Sequence, residues 1–104
     1  MLTSRKIKDY YEKEAAVLSD HQKKMYFGNS WSAYWHGTRL RLILEILNGI
    51  SYTDVLEVGC AEGLYLKLLS RNHASGKQTR MGLDIAKNYL IKAQKNVPEG
   101  FFVM

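Results

Sequence analysis

Hydrophobic and polar positions follow two different patterns along the 104 residues of this chain. In the first part, apolar residues recur at three-, four- and seven-residue intervals from Ile7, which is typical of amphipathic helices. The polar segment 28–30 interrupts the pattern, with Ser30 or Ser32 as a candidate cap for a short turn. A further helix is predicted from about His36 to Gly49. We therefore predict two helices and a bend over residues 1–50.

From residue 53 onward, short apolar runs replace the helical period. Runs at 53–58, 79–84 and 101–104 are bounded by glycine or polar residues and predict β-strands. The intervening segments are long enough for helices, and alternating strands and helices are typical of a parallel α/β sheet. The predicted fold class is therefore α/β, a Rossmann-like doubly wound parallel sheet. It is truncated to about three strands and preceded by a helical cap at 1–50.

A glycine turn follows the first predicted strand, and an acid ends the second. Gly59 and Gly63 allow the main chain to approach a ligand closely, and Asp84 lies 21 residues after Gly63. A carboxylate in that place can accept hydrogen bonds from both hydroxyls of a ribose. Glu57, at the carboxyl end of the first strand, suits a cationic ligand better than a pyrophosphate. The pattern predicts a nucleotide site.

The spacing Glu57-x-Gly59-x-Ala61-x-Gly63 resembles the first motif of class I S-adenosylmethionine-dependent methyltransferases, and the resemblance covers about residues 53–104. It implies S-adenosyl-L-methionine as cofactor and a strand order of third, second, first. It also implies that Ile85 lies against the adenine. We interpret 51–104 as the first part of the cofactor-binding domain of a longer protein, so the fragment by itself is expected to be inactive.

Cys60, at an x position of the motif, and Ala61 are also counted as cofactor-binding positions, although neither is a glycine. Ala61 stands where the middle glycine is usual. Because alanine disfavours positive φ, we expect an ordinary backbone conformation there. Cys60 is interpreted as a small filler and not as a nucleophile, since no basic residue is close to it in sequence. Glu62 is expected to face solvent, at the start of a helix whose positive end points to the cofactor's carboxylate.

Arg39 is the strongest candidate outside the motif. Several small-molecule methyltransferases of this family carry an arginine on the helix before the first strand, where it binds the cofactor's carboxylate. Arg39 precedes Glu57 by 18 residues, a similar spacing, and a guanidinium suits bidentate carboxylate recognition. A solvated helix face is the alternative, and Arg41 has a similar claim. The catalytic residues are unknown.

The cap is rich in aromatic residues, which either cover the cofactor or pack the helices onto the sheet. They are Tyr10, Tyr11, Tyr26, Phe27, Trp31, Tyr34 and Trp35. The three histidines, at positions 21, 36 and 73, are interpreted as surface or capping residues. His36, near the expected mouth of the pocket, is the one candidate base.

The composition of the chain indicates the class of protein and excludes several kinds of site and partner. The chain has 46% hydrophobic and 24% charged residues, which indicates a globular protein. One cysteine excludes an internal disulfide, and no metal site is predicted. The net charge of +5 is spread out, so nucleic acid is not expected as a partner. No apolar run or leader pattern indicates a membrane span or export, which favours a cytoplasmic protein.

The resemblance implies an S-adenosylmethionine-dependent methyltransferase that acts on a small-molecule or lipid-like acceptor. Two alternatives stay open: a non-catalytic, degenerate methyltransferase fold used as an interaction module, and an NAD(P)-dependent oxidoreductase. Right-handed crossovers would place both helices of 51–104 on one face of the sheet. The first strand would then be an open edge, through which the fragment is expected to self-associate, or else be only marginally stable.

Overall fold

A computed structural model describes residues 3–17, 21–72 and 78–104. These residues form five helices and three strands: α1 (Ser4–Val17), α2 (His21–Phe27), α3 (Trp31–Asn48), β1 (Asp54–Val58), α4 (Leu64–Asn72), β2 (Thr79–Leu83), α5 (Lys87–Asn96) and β3 (Phe101–Val103). The strands form one parallel sheet in the order β1-β2-β3. The α/β class and the strand order are therefore confirmed.

The helices before the sheet differ from the prediction. The first predicted helix is two helices, α1 and α2, and α3 begins at Trp31, five residues before the predicted start. The reason for the earlier start is a cap, because the Ser30 hydroxyl accepts a hydrogen bond from the backbone N–H of Ala33 at 3.0 Å. His73, one of the three histidines interpreted as surface or capping residues, lies outside the described residues.

Both helices of the second half, α4 and α5, cover the same face of the sheet, as predicted. On that face Arg80 is buried, and a Cβ added at Gly82 would lie 2.7 Å from the Cys60 sulfur. The other face carries Leu56, Val58 and Phe101, which are exposed. Successive residues of a strand point to opposite faces, so covering one face leaves every second residue exposed. Within the described residues, β1 has a neighbouring strand on one side only.

The cap packs on the sheet's helices through two clusters. Leu44 and Leu47 of α3 lie against Leu66 and Leu69 of α4, next to Val97 after α5.

The second cluster joins Ala15 of α1 to Ala86 and Tyr89 at the start of α5, with Ala61 of the turn against it. The cap is thereby held over the carboxyl ends of the strands, which is where open α/β sheets bind ligands.

Candidate functional site

The turn between β1 and α4 is fixed by backbone hydrogen bonds to the end of β2. The N–H groups of Gly59 and Cys60 both donate to the carbonyl of Leu83, at 2.7 and 3.0 Å, and the N–H of Gly63 donates to the carbonyl of Cys60 at 2.9 Å. Gly59 and Gly63 have φ values of +73° and +78°. Left-handed backbone at both positions explains why the sequence uses glycine there.

The backbone conformation of Ala61 differs from the prediction. We expected an ordinary conformation, but its φ is +46°, in the left-handed region. The turn requires this conformation so that the N–H of Ala61 can donate to Oδ2 of Asp84 at 2.9 Å. A left-handed residue other than glycine costs about 1–2 kcal/mol, so the alanine is strained.

The carboxylate of Asp84 joins the turn to the start of α5. Its Oδ2 accepts the hydrogen bond from Ala61, and its Oδ1 accepts one from the N–H of Ala86 at 2.9 Å. These two bonds fix the plane of the carboxylate. Each oxygen keeps a second lone pair for a ligand, because a carboxylate has about four acceptor sites.

A cavity of about 550 Å³ lies between the cap and the strand ends. One wall is formed by the cap residues Tyr11, Glu14, His21, Gln22, Met25 and Tyr26, and the other by Val58, Gly59, Ala61, Leu83, Asp84, Ile85, Tyr89 and Met104. Four of the predicted cofactor-binding residues, Gly59, Ala61, Asp84 and Ile85, therefore share one cavity. The size is in the usual range for small-molecule sites.

The charges at this cavity are negative. Glu14 and Asp84 line it, and no lysine or arginine does within the described part of the chain. Glu57 lies beyond the lining, on β1 opposite Gly82, and its buried Oε1 has no hydrogen-bond partner among the described residues. Burial, together with the nearby Asp84 carboxylate, raises the pKa of Glu57 to about 8. The arrangement favours a positively charged ligand.

A reciprocal pair of hydrogen bonds holds α2 to the turn. The N–H of Gln22 donates to Oε1 of Glu62, and the Gln22 side-chain oxygen accepts from the N–H of Leu64, both at 3.0 Å. Glu62 was expected to face solvent, but it is 5% exposed because Gln22 covers it. The predicted positive end of α4 is also partly satisfied by Gln22 and not open to a ligand.

Further polar contacts hold α1 over α5. The Tyr89 hydroxyl donates to Oε1 of Glu14 at 2.5 Å, and Nε2 of His21 lies 3.5 Å from the same oxygen. The Lys92 ammonium donates to the carbonyl of Ala15 at 2.6 Å. His21 was interpreted as a surface or capping residue, but it lines the cavity. Sequence reasoning missed Glu14 and His21 as site residues because their partners are distant along the chain.

Arg39 and His36 lie outside the cavity lining. The guanidinium of Arg39 lies 3.0 Å from Nδ1 of His36 and 3.5 Å from the Tyr26 hydroxyl, and its side chain is exposed. Nη2 of Arg41 donates to the Thr38 hydroxyl at 3.4 Å. The contact between Arg39 and a cofactor carboxylate stays a prediction, and the structure gives His36 no position facing the cavity.

Cys60 and Gly63 were also predicted to bind the cofactor, but neither residue lines the cavity. Cys60 is fully buried, and burial with the nearby Glu57 and Asp84 carboxylates raises the pKa of its thiol to about 12. A thiol that stays protonated at neutral pH is a poor nucleophile, which agrees with its interpretation as a filler. A Cβ on Gly63 would lie 3.3 Å from the Cβ of Ala93, so glycine is needed there for packing as well as for φ.

The aromatic residues of the cap divide into two groups. Tyr11 and Tyr26 line the cavity, and Tyr26 is the one ring of the seven that is buried. The other five are exposed, so packing onto the sheet does not explain them.

Comparison with known proteins adds no family assignment. No protein-family model matches the chain, and no curated protein matches its sequence. Its function therefore has to be inferred from the residues of the cavity.

Proposed function

We propose that this chain carries the cofactor-binding half of an S-adenosylmethionine-dependent methyltransferase, which transfers a methyl group to a small-molecule or lipid-like acceptor. One observation carries the proposal: the glycine turn and Asp84 meet in a single cavity whose charged lining is acidic. Because the cofactor has a sulfonium and an ammonium group, a lining that includes the carboxylates of Glu14 and Asp84 suits these two cations.

We call the cavity wall formed by the strand ends and α5 the lower wall and the wall formed by α1 and α2 the upper wall. Three residues of the lower wall have positions that support a role. Asp84 would accept hydrogen bonds from the ribose hydroxyls with the lone pairs that Ala61 and Ala86 leave free. Ile85, which is 45% exposed next to it, would lie against the adenine. Gly59 has no atoms within 4 Å of the position of a Cβ, so a ligand can approach its backbone.

A dinucleotide fits the same cavity less well. A pyrophosphate is bound by free N–H groups at a helix N-terminus. Here the N–H of Leu64 is bonded to Gln22, and Glu14 and Asp84 would repel phosphate charge. These contacts favour the methyltransferase proposal over an NAD(P)-dependent oxidoreductase.

Methyl transfer requires the protein mainly to align the acceptor atom with the methyl group. When bound, the cofactor would supply an electrophilic methyl group, and its transfer would leave S-adenosylhomocysteine as the second product. The chain's own residues would fix the ribose through Asp84, surround the adenine with apolar side chains, and exclude water with the cap residues Met25 and Tyr26. The acceptor atom is left open.

The non-catalytic alternative has specific support in the strained Ala61 and in the position of Arg39 outside the cavity lining. A turn that lost its middle glycine and a cap without a carboxylate-binding arginine would both weaken cofactor binding. The two proposals differ in one measurable property, because an interaction module would not need affinity for the cofactor.

Calorimetric titration with S-adenosylhomocysteine tests the proposal. We expect binding, weakened roughly 100-fold by Asp84→Asn, because hydrogen bonds to a charged acceptor contribute about 1.5–3 kcal/mol each. Asp54→Asn, the same substitution at the exposed start of β1, serves as the matched control and should leave affinity unchanged. Thermal melts of both variants separate lost binding from lost folding.

Two results would contradict the proposal. A folded chain that does not bind S-adenosylhomocysteine would favour the interaction module. Tighter binding of NADH than of S-adenosylhomocysteine would favour an oxidoreductase.

A further inference from the structure

The helix α3 is apolar on two opposite sides. Its inner side, with Ala33 and Leu40 fully buried, packs within the protein. Its outer side carries large apolar residues that are exposed: Trp31 by 81%, Trp35 by 67%, Leu42 by 54% and Ile46 by 62%. Large apolar side chains that lie together on an exposed surface usually mark a contact site, so the outer side needs an explanation.

The exposed residues of α3 form a continuous stripe. Positions 31, 35, 42 and 46 fall on one side of a helix with 3.6 residues per turn. Tyr34 extends the stripe, with its ring centre 6.2 Å from that of Trp31 and 5.6 Å from that of Trp35, in edge-to-face contacts. We call Trp31, Tyr34, Trp35, Leu42 and Ile46 the outer stripe.

Two arginines of α3 flank the outer stripe. Residues 21–44 contain four lysines and arginines and no aspartate or glutamate. Lys23 and Lys24 lie on α2, Arg39 and Arg41 lie on α3, and all four are exposed. At 100° per residue, Arg39 and Arg41 fall on opposite flanks of the stripe. Glu45, near its end, is the one acid on this side of α3.

We propose that the outer stripe binds the surface of an anionic lipid bilayer. Tryptophan and tyrosine favour the boundary between headgroups and acyl chains, where one end of the ring is apolar and the other is wet. Leu42 and Ile46 would be buried among acyl chains, while the flanking arginines would meet lipid phosphate and carboxylate groups. Both the apolar side chains and the positive charges of this side of α3 would therefore contribute to binding the bilayer.

Charge argues against a second copy of the chain as the occupant. A symmetric contact through the outer stripe would bring Arg39 and Arg41 of one copy close to the same residues of the other. Like charges at a contact are unfavourable, and Glu45, the one acid of α3, offsets only one of the two arginines, so the contact would still join two net positive surfaces.

The aliphatic part of the stripe argues against a nucleic acid. Rings can stack on bases, but Leu42 and Ile46 gain little from bases or phosphates, and the basic residues flank the stripe instead of forming a groove along it.

Among the described residues no helix is long and apolar enough to cross a membrane, so the proposed contact is with the surface.

Tryptophan fluorescence tests the proposal directly, because both tryptophans of the chain lie in the outer stripe. Vesicles of phosphatidylcholine and phosphatidylserine in about a three-to-one ratio supply the anionic surface. We expect a blue shift of the emission and flotation of the protein with these vesicles. With pure phosphatidylcholine, we expect roughly tenfold weaker binding or less.

Matched variants separate the outer stripe from the exposed face of the sheet. Leu42→Ser combined with Ile46→Ser keeps both tryptophans and should weaken vesicle binding by roughly tenfold or more. Arg41→Glu should weaken it by roughly tenfold, whereas Lys87→Glu on α5 should have a much smaller effect. Leu56→Ser combined with Phe101→Ser, on the uncovered sheet face, should leave binding unchanged.

Three results would overturn the proposal. They are equal binding to neutral and anionic vesicles, loss of binding with the sheet-face variant but not with the stripe variant, and absence of binding by a folded chain. A lipid-free dimer that dissociates on Leu42→Ser with Ile46→Ser would assign the stripe to a second copy. Preferential binding of a single-stranded oligonucleotide would assign it to a nucleic acid. None of these results depends on cofactor binding.

Discussion

The two walls of the cavity are built in different ways. The lower wall, from β1 to Asp84, is held by backbone groups, such as the N–H groups of Gly59 and Cys60 on the Leu83 carbonyl. The upper wall, from α1 and α2, is held by side chains that reach across 42 to 77 residues of sequence, as Gln22, Glu14 and Lys92 do. The lower wall thus depends on backbone conformation and backbone hydrogen bonds, and the upper wall depends on hydrogen bonds made by side chains.

This difference predicts different sensitivities. Substitutions in the lower wall should act through backbone strain and through the charge of the acids beside it. Substitutions in the upper wall should act by releasing the cap from the turn. Substitutions can therefore test the two walls separately.

The largest effect is expected from Glu57→Gln, which removes the ionisable group. The unfolded chain loses the Glu57 proton near pH 4.5, while the folded chain keeps it up to about pH 8. The folded state therefore binds more protons between these values, and the contribution of Glu57 to stability falls as the pH rises. The variant should be more stable than the natural sequence by roughly 2–4 kcal/mol at pH 8.

Urea unfolding at several pH values measures this effect. The stability difference should be small near pH 4.5, grow up to pH 8 and then level off. Glu45→Gln, at an exposed position of α3, is the control and should show no such growth. A pH-independent difference for Glu57→Gln would show that its carboxyl is not buried as described.

An intermediate effect is expected in the upper wall from Gln22→Ala. The variant leaves the Leu64 N–H without its buried acceptor, which costs about 1–3 kcal/mol. Thermal unfolding measures the loss, and hydrogen exchange should show faster exchange at α2 than at β1. Lys23→Ala, next to it but exposed, should be close to neutral. Equal stability of the two variants would argue against the contact between α2 and the turn.

The smallest effect is expected from Ala61→Gly, which relieves the left-handed alanine. Removing about 1–2 kcal/mol of strain outweighs the greater entropy of glycine in the unfolded chain, so a net gain of about 0.5–1 kcal/mol is expected. Ala16→Gly, within α1, is the matched control and should be destabilising by about 0.5–1 kcal/mol. Denaturant midpoints should therefore shift in opposite directions. A loss of stability with Ala61→Gly would contradict the observed φ.

The difference between the two cavity walls also explains which features could be predicted from the sequence. The strands and the position of Asp84 follow from local apolar runs and from glycines with positive φ, whereas the strand order was predicted from the family resemblance. The start of α3 was misplaced because Ser30, considered as the cap of a short turn, caps the long helix itself. Helix and strand periods are local, so they predict the lower wall well.

The remaining errors concern contacts that no local pattern encodes. The burial of Glu62 depends on Gln22, which is 40 residues away. His21 lines the cavity only because α2 lies across the turn. The conformation of Ala61 was mispredicted because local preference favours ordinary backbone, whereas its hydrogen bond to Asp84 requires a left-handed residue.

The most direct test of the central claim is a titration followed by amide NMR, which suits a protein of 12.0 kDa. On addition of S-adenosylhomocysteine, the amide signals of Gly59, Ala61 and Ile85 should shift together with that of Met25 on the cap. Leu56, on the uncovered face of the sheet, should be unaffected. Shifts confined to one wall, or no shifts in a folded chain, would contradict a nucleotide site between the two walls.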